Sequence, residues 1–317
     1  MNVLKLPLAS EAVDRSGELR TKPDELAKLW KSARILHFAS GKFRVKPNYE
    51  LDFQSAEQIA KLRKDAKFAD GEELFLGIDN GISYFAWCSD AMDFESFETL
   101  ENYQTLRTLG DFLTQLEMGL AIHSQAIANW HHTHQFCARC GAPTLSANGG
   151  SLRKCSTDGS EHYPRTDGAV IVLVKDDKDR VLLGRQKVWP EKRFSCFAGF
   201  VEPGESFEEC VSREVFEEAG VYASEIRYLT SQPWPFPASI MIAFEAITHR
   251  PEEARPDGTE ITEVRWLSRD EMKAAVTAQD ILLPPKISVA RRMIEAWYTR
   301  VDGYTRDQLR GGESWRP

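Results

Sequence analysis

The sequence predicts an α/β protein of more than one domain, and three observations support this. Apolar runs of strand length alternate with helical patterns through most of the chain. A stretch rich in cysteine, glycine and serine interrupts them near the middle. The 317 residues are about twice the usual size of one domain, with 42% apolar and 28% charged residues, so a fibrous or wholly disordered chain is excluded. We expect four segments: 1–130, 131–165, 166–305 and a mobile tail at 306–317.

The first segment is expected to be a mixed α+β domain with a linking helix. Strand-like residues 73–79 and 82–88 flank Asn80 and Gly81, a pair typical of a hairpin turn. From residue 106 to 130, apolar side chains recur mostly every three or four positions, which predicts one amphipathic helix. That helix would lead into the second segment.

The second segment is predicted to be a small loop-rich module. Cys137 and Cys140 are separated by two residues, and fourteen more residues separate Cys140 from Cys155. Six cysteines are too few for a disulfide scaffold in a chain this long, and the close pair suits a metal better than a cystine. A reducing compartment is therefore expected.

Charge and hydropathy narrow the class of protein further. The chain has 40 lysines and arginines against 48 acidic residues, a net charge of −8. This argues against broad nucleic-acid binding through an all-over basic surface but leaves room for a local basic patch. The longest apolar stretches, at 169–174 and 194–201, are far shorter than the roughly 20 residues of a membrane helix. No signal peptide is evident, so a cytoplasmic protein with no membrane partner is predicted.

The third segment opens with two strands and continues into a capped helix. Residues 169–174 and 181–184 predict antiparallel strands around a turn. Ser206 and Glu209 have the spacing of a capping box, so a helix should begin near residue 207, and Gly220 is well placed to end it.

Three carboxylates share one face of that predicted helix. Glu214, Glu217 and Glu218 fall at i, i+3 and i+4, where like charges repel. A divalent cation would relieve the repulsion, and hard oxygen ligands suit Mg²⁺ or Mn²⁺. For an arbitrary glutamate triplet, a solvated helix face is the alternative.

A stiff segment of alternating prolines and aromatic residues follows at 231–239. Its three prolines favour an extended path and hold Trp234 and Phe236 as rigid planar groups. The rings are suited to stacking on a nucleotide base, with Gln232 and Ser239 available for polar contacts. A rigid connection packed into the core is an equally good interpretation of these residues alone.

The carboxylates stand within a longer spaced pattern. From Gly199 to Val221 the chain reads G-x5-E-x7-R-E-V-x-E-E-x-G-V, which resembles the Nudix box without a missing position. The resemblance implies an α/β/α sandwich that hydrolyses a nucleoside diphosphate linked to another moiety. It also implies that Glu205 and Arg213 form an architectural ion pair.

The same resemblance implies a set of metal ligands and catalytic residues. Glu214, Glu217 and Glu218 would be catalytic and hold about two or three Mg²⁺ or Mn²⁺ ions, as hydrolysis of a diphosphate requires. The main-chain carbonyl of Ala198 would add an oxygen ligand. Glu260 matches the place of a further glutamate ligand, with Glu263 as the competing choice.

The proline-aromatic segment extends the resemblance from the Nudix box to one subfamily. S-Q-P-W-P-F-P-x-S after a Nudix box is similar to the signature of the NADH pyrophosphatase subfamily. The resemblance implies that Tyr163 and Phe200 are candidates to stack on nicotinamide, that Ala290 offers a main-chain contact, and that Arg107 contacts a phosphate or ribose. The substrate-binding residues implied are Arg107, Tyr163, Phe200, Gln232, Pro233, Trp234, Pro235, Phe236, Pro237, Ala238, Ser239 and Ala290.

The cysteine module resembles the zinc ribbon that precedes the catalytic domain in this subfamily. Cys137, Cys140 and Cys155 would hold one structural Zn²⁺, an ion that is normally coordinated by four ligands. This chain departs from the pattern because a serine, at position 160, stands where relatives place a fourth cysteine. His162 is the favoured substitute, ahead of Asp158 and His134, and a metal-free ribbon is the alternative.

These resemblances imply a metal-dependent hydrolase. The expected reaction splits the diphosphate of NADH, and of NAD⁺, into nicotinamide mononucleotide and AMP, and family members also remove the NAD cap from RNA. The family is homodimeric. The alternatives are a Nudix hydrolase acting on ADP-ribose or another dinucleotide, and a nucleotide-binding zinc-ribbon interaction module without catalysis.

Overall fold

A computed structural model describes residues 13–89, 102–110 and 112–310 of the chain. These residues form two compact units. The amino-terminal unit comprises residues 13–166 together with Trp234–Ala238, and the carboxy-terminal unit comprises Asp167–Pro233 and residues 239–310. The four predicted segments stay a prediction. Of the predicted mobile tail, Arg306–Leu309 form a short 3₁₀ helix with Leu309 buried, and residues 311–317 lie outside the described chain.

The amino-terminal unit contains a mixed sheet, four helices and a small second sheet within its described residues. The larger sheet has the strand order β3-β4-β1-β2-β5, with β1 and β4 parallel and the other pairs antiparallel. The elements, in chain order, are α1 (Pro23–Trp30), β1 (Arg34–Ala39), β2 (Lys42–Arg44), α2 (Ala56–Leu62), β3 (Gly71–Asp79), β4 (Ile82–Ser89), β5 (Tyr103–Thr105), α3 (Leu106–Leu109), α4 (Gln115–Thr133), β6 (Thr144–Ala147), β7 (Leu152–Cys155) and β8 (Glu161–His162).

The predicted hairpin is confirmed as β3 and β4. Asn80 and Gly81 have φ angles of 47° and 78°, the left-handed conformations that a tight two-residue hairpin turn requires. Asn and Gly tolerate this region better than other residues do. The turn therefore forms from local sequence.

The single helix predicted over residues 106–130 is wrong in its middle. The chain forms a short α3, ended at Gly110, and then restarts as α4. The Thr114 side chain accepts a hydrogen bond from the Glu117 amide, and the Glu117 carboxylate accepts one from the Thr114 amide at 3.0 Å. This capping box begins a new helix, so the apolar period continues across a break in the helical backbone.

The cysteine module packs on the β3–β4 hairpin inside the amino-terminal unit. Its strands β6, β7 and β8 form an antiparallel sheet. A buried Arg153 donates to the Glu72 carboxylate at 2.9 Å and to the Thr144 carbonyl at 2.8 Å. Gly150 lies so close to Leu74 that a Cβ there would overlap the leucine side chain. The module is thus joined to the preceding residues by a partly buried charge pair and close packing.

The carboxy-terminal unit is a sheet covered by helices on both faces. The sheet has the order β12-β13-β9-β10-β14, and β11 also pairs with β9. The elements are β9 (Asp167–Asp176), β10 (Val181–Gln186), β11 (Phe197–Phe200), α5 (Phe207–Ala219), β12 (Ser224–Trp234), β13 (Ser239–Thr248), β14 (Ile261–Leu267), α6 (Arg269–Thr277) and α7 (Val289–Tyr298).

Alternation along β9 explains the layers. Val170 and Val172 pack with α5, whereas Ile171 and Leu173 pack on the other face with α6 and α7. Successive side chains of a strand point to opposite faces, so a strand buried on both sides is apolar throughout. The α/β/α sandwich is confirmed. Within the described chain, no helix combines the length and apolar character that crossing a bilayer would require.

Candidate active site and metal-binding cluster

Helix α5 carries the predicted carboxylates and begins and ends where its sequence indicates. Ser206 Oγ accepts a hydrogen bond from the Glu209 amide at 3.2 Å, and Glu209 Oε2 accepts one from the Ser206 amide at 2.8 Å. Gly220 closes the helix with a φ of 69°, which glycine adopts without strain. The capping box and the terminal glycine set the register that brings the three glutamates onto one face.

Arg213 ties the preceding loop to the helix. Its guanidinium donates to both carboxylate oxygens of Glu205, at 2.6 and 2.9 Å, and to the Phe200 carbonyl at 3.0 Å. Bidentate pairing of this kind is strong and directional. Hydrogen bonding from Arg213 lowers the pKa of Glu205 to about 2. The predicted architectural ion pair is confirmed.

Arg213 also supplies positive charge to two of the catalytic candidates. Its Nη1 lies 2.8 Å from Glu214 Oε1 and 3.1 Å from Glu217 Oε2. The sequence predicts that a cation relieves the repulsion among the three glutamates. Arg213 already relieves part of that repulsion. Glu217 is the most open of the three glutamates, with 57% of its side chain exposed.

Glu218 is buried, and within the described residues no cationic side chain forms an ion pair with it. It is 6% exposed, and its Oε2 accepts a hydrogen bond from the Ala198 amide at 3.2 Å. Burial, followed by the charge of Glu260, raises the pKa of Glu218 to about 8. Burial also raises the pKa of Glu214. A divalent cation would stabilise the ionised forms of both, so the donor set fits a hard metal ion.

Gly199 allows Glu214 to occupy its position. A Cβ built on Gly199 would overlap the Glu214 carboxylate. The neighbouring residue, Ala198, pairs with Ile171 on β9, which holds this strand on the sheet. The glycine of the motif is thus explained by close approach of backbone and carboxylate.

The pH dependence of stability in the metal-free protein follows from Glu218. Because its folded pKa lies above the ordinary value of 4.5, its contribution is fully favourable below about pH 4.5 and is lost as pH rises through about 8. We expect wild type to lose on the order of a few kcal/mol between pH 5 and pH 9 relative to Glu218→Gln. Urea unfolding of both proteins, dialysed free of Mg²⁺ and Mn²⁺, measures this. An equal stability difference at both pH values would contradict it.

Geometry favours Glu260 over Glu263 as a further metal ligand. Glu263 Oε1 accepts from Arg265 Nε at 2.6 Å, and its other oxygen lies 3.6 Å from Arg185. Glu260 accepts from the Gln186 side chain at 2.8 Å, and its charge acts on both Glu218 and Glu214. Glu260 as a ligand stays a prediction.

Asp257 also lies at this site, and its position in the sequence did not indicate it. Its carboxylate accepts hydrogen bonds from the amides of Glu260 and Ile261, at 3.0 and 2.6 Å, and its charge contributes to the raised pKa of Glu218. Asp257 precedes Gly258 in a polar loop, which is a turn signal rather than a ligand signal. It orders the loop that presents Glu260.

Gln232 and Ala290 are more enclosed than their predicted roles suggest. The Gln232 side chain donates to the Ile287 carbonyl at 2.9 Å and accepts from the Val289 amide at 2.7 Å. Its amide therefore already bridges β12 and the start of α7. Ala290 is buried in the first turn of α7, and Ser239 is buried at the start of β13. Their contacts with substrate stay predictions.

Residues Trp234–Ala238 of the proline-aromatic segment pack within the amino-terminal unit. Trp234 and Phe236 have ring centroids 5.0 Å apart and lie against that unit's apolar core. The Arg107 guanidinium lies 4.0 Å from the Phe236 centroid and 5.3 Å from that of Trp234. Each ring is only partly buried, so packing into the core accounts for part of each ring, and stacking on a base stays a prediction. The remaining residues of the segment are exposed Pro233 and Pro237, buried Pro235 and half-buried Ala238.

The two residues predicted to stack on nicotinamide are both exposed. Phe200 belongs to the carboxy-terminal unit and Tyr163 to the amino-terminal unit. Phe200 is 59% exposed at the end of β11, next to the Arg213 contact. Tyr163 is 66% exposed, and its hydroxyl donates to Glu161 at 2.7 Å. Both rings have open faces, and their contacts with nicotinamide stay predictions.

The cysteine module brings together the three predicted thiols and one carboxylate. One ligand atom from each of Cys137, Cys140, Cys155 and Asp158 lies within 4.8 Å of the others. Backbone amides point at the sulfurs, as with Arg139 N to Cys137 Sγ at 3.4 Å. The side-chain hydrogen bond between Cys137 and Ser160 is the main cause that lowers the pKa of Cys137 to about 6. Three sulfurs and one oxygen fit a tetrahedral Zn²⁺.

Asp158, rather than His162, lies with the three thiols in the structure, and the identity of the fourth zinc ligand stays a prediction. His162 Nε2 lies 3.2 Å from Ser160 Oγ and is not part of the group. Ser160 instead holds Asp158 Oδ1, at 2.6 Å through its hydroxyl and 2.9 Å through its amide. The turn after Cys155 points the aspartate back at the thiols. His134 is also absent from the group and lies 3.2 Å from the Trp130 carbonyl at the end of α4.

Zinc content distinguishes the two candidates for the fourth ligand. We expect Asp158→Ala to weaken zinc binding by at least about a hundredfold, because it removes a direct ligand from the cluster. His162→Ala, the matched control, should keep wild-type zinc content. Competition with a chromophoric chelator measures both affinities. Loss of zinc in His162→Ala alone would reverse the assignment.

Comparison with known protein families agrees with this division of sites. Residues 132–163 match the NADH pyrophosphatase zinc ribbon domain, and residues 164–285 match the NUDIX domain. NAD-capped RNA hydrolase NudC of Mycobacterium bovis is 38% identical over 302 residues, covering 92% of this chain and 95% of that protein. NAD-capped RNA hydrolase NUDT12 of Homo sapiens is 35% identical over 235 residues, covering 69% of this chain and 51% of that protein. A crystal structure of a NUDIX hydrolase from Nitrosomonas europaea covers 54% of this chain and 94% of its own, with 23% identity and a TM-score of 0.43.

Proposed function

The chain belongs to the Nudix hydrolase family, among members that join the NUDIX domain to an NADH pyrophosphatase zinc ribbon, and we propose that it hydrolyses the diphosphate of NADH and NAD⁺. The products are nicotinamide mononucleotide, reduced or oxidised, and AMP. The observation that carries the proposal is the glutamate cluster of α5, in which Glu218 is buried and Glu214 lies against Gly199. Relatives named NAD-capped RNA hydrolases support the nicotinamide dinucleotide as substrate.

The glutamate cluster is built to hold divalent cations beside a diphosphate. Glu214, Glu217, Glu218 and Glu260 would hold Mg²⁺ or Mn²⁺, together with the Ala198 carbonyl. Such ions, when bound, neutralise the diphosphate, lower the pKa of the attacking water and stabilise the leaving oxygen. The Ala198 amide orients the Glu218 carboxylate through the 3.2 Å hydrogen bond to Oε2.

Arg213 has a positioning role in this proposal. Its bonds to Glu205 and to the Phe200 carbonyl fix the loop, while its Nη1 holds Glu214 and Glu217 in place. A side chain held by several partners loses little freedom on binding a ligand, which is how a preorganised site favours the reacting arrangement. Exposed Phe200 offers an aromatic face beside this loop for a planar base.

The same bond is present in the NAD cap of an RNA, and we include that cap among the substrates. A net charge of −8 disfavours broad RNA binding, so recognition would rest on the cap rather than on the chain behind it. Salt dependence separates the two modes of binding. Cap-directed activity should fall little between low and physiological salt.

Product analysis tests the proposed reaction. NADH, NAD⁺, ADP-ribose and NAD-capped RNA are incubated with the intact protein and either Mg²⁺ or Mn²⁺, and the products are separated by chromatography. We expect metal-dependent release of AMP and nicotinamide mononucleotide from NADH. Faster turnover of ADP-ribose would replace the proposal with an ADP-ribose hydrolase, and binding of NADH without turnover would indicate an interaction module.

We further propose a homodimer, as the family resemblance implies. Sedimentation velocity of the purified chain at micromolar concentration measures it directly. A mass of twice 36.0 kDa is expected, and a monomer would refute this part of the proposal.

A further inference from the structure

Two side chains of α4 hold the main chain of the proline-aromatic segment. Gln125 Nε2 donates to the Pro235 carbonyl at 2.7 Å. Asn129 Nδ2 donates to the same carbonyl at 3.1 Å and to the Pro237 carbonyl at 2.9 Å. The two donors are four residues apart and therefore lie on one face of the helix.

Prolines make these outside donors necessary. Pro235 and Pro237 have no amide hydrogen, so the segment cannot form a regular strand ladder that would order its carbonyls. The amides of Gln125 and Asn129 take the place of that ladder. They restrain the backbone immediately before and after Phe236.

The environment of Gln125 argues against a merely space-filling role. The residue is buried, and within the described chain its Oε1 has no hydrogen-bond partner. Leaving a polar atom buried and unpaired destabilises a fold. An apolar side chain, as at Ile122 and Ile127 on the same helix, would fill the space without that penalty. The donor to Pro235 is the feature that an apolar residue lacks.

The restrained backbone determines where the aromatic rings point. Trp234 and Phe236 flank Pro235, with their rings at an interplanar angle of 67°. Arg107 covers Phe236 at 4.0 Å on one side. Movement of the Pro235 or Pro237 carbonyl would rotate the intervening Phe236 relative to Trp234.

We propose that Gln125 and Asn129 are positioning residues for the substrate, which hold the Trp234–Ala238 segment so that its rings meet a nucleotide base in one arrangement. This rests on the proposed function, because it assigns to the amino-terminal unit a part in binding affinity for the dinucleotide. Neither side chain touches the reacting atoms. Their effect is expected in KM rather than in kcat.

Replacing the donor nitrogen by oxygen tests the role. Asn129→Asp and Gln125→Glu keep the shape of each side chain and set a carboxylate against a carbonyl. We expect KM for NADH to rise at least about tenfold in each, because Gln125→Glu loses one positioning hydrogen bond and Asn129→Asp loses two, with kcat within about threefold of wild type. Gln115→Glu makes the same chemical change on the exposed first turn of α4 and should leave KM unchanged. A fall in kcat and melting temperature with unchanged KM would overturn the proposal.

A second measurement needs no turnover. Acrylamide quenching of Trp234 is obtained as the difference between each protein and its Trp234→Phe counterpart. Asn129→Asp should make Trp234 at least about twofold more accessible to the quencher, since its backbone restraint is removed. Unchanged quenching would overturn the proposal. If wild type fails to hydrolyse NADH, the proposed function fails, while quenching still decides whether these residues position the segment. Should Gln125→Glu not fold, the half-buried Asn129 carries both measurements.

Discussion

Glu218→Gln should lower the rate of NADH hydrolysis by on the order of a thousandfold at saturating Mg²⁺, since it removes one metal-holding charge worth several kcal/mol in the transition state. Glutamine has nearly the same shape, so packing around the 6% exposed side chain is kept. Its side-chain oxygen can still accept the Ala198 amide, which donates to Glu218 at 3.2 Å. The loss would therefore come from charge rather than from a damaged fold.

A charge change elsewhere on α5 provides the matched control for Glu218. Glu208→Gln alters an exposed glutamate in the first turn of the same helix, away from the carboxylate face. It should keep the wild-type rate and metal requirement. Initial rates over a range of Mg²⁺ concentrations separate weaker metal binding from a lower maximal rate. A wild-type rate for Glu218→Gln at saturating metal would show that the buried carboxylate is not needed.

Gly199→Ala is expected to have the next largest effect, about a hundredfold loss of activity, because a shift of about 1 Å in a reacting group is enough for that. The added Cβ would overlap the Glu214 carboxylate, so either this side chain or β11 must move. Overpacking of this kind destabilises a fold by about 1–3 kcal/mol. The metal affinity should fall together with the rate.

A neighbouring strand supplies the control for Gly199. Gly168 lies on β9, and a Cβ there would meet its nearest atom, in Val201, at 3.6 Å, which is ordinary contact. Gly168→Ala should therefore leave activity within about twofold and stability within about 0.5 kcal/mol, as expected for a substitution without a steric conflict. Rates and urea unfolding are measured on both variants. Equal effects of the two alanines would refute the close-approach explanation of Gly199.

Features that depend on a few neighbouring residues could be predicted from the sequence. The capping box at Ser206, the terminal Gly220 and the helical spacing together predict that Glu214 and Glu218 share a face. The Asn80 turn follows from the same kind of local preference. The break before α4 also follows from local sequence, the capping box of Thr114 and Glu117. The sequence predicts one continuous helix instead, because the apolar period continues across the break.

The hydrogen-bond and ion-pair partners of the site's side chains could not be predicted from the sequence, because they depend on the folded backbone. Nothing in the spacing of the motif indicates that Arg213 serves Glu205, Glu214 and Glu217 at once. The turn after Cys155 places Asp158, rather than His162, beside the three thiols. Sequence spacing determines which residues are available as ligands but not which way they point.

By itself, the sequence determined which chemical groups are available: a helix whose three glutamates suit divalent cations, a three-cysteine module and a stiff aromatic segment. The residues of each group lie close together along the chain. Only the tertiary structure decided how these parts are held. Gln125 and Pro235 are 110 positions apart, and the Gln232 amide meets residues 55 and 57 positions away. Such contacts form only when the whole backbone has folded, since local preferences act over about one helical turn and cannot select a distant partner.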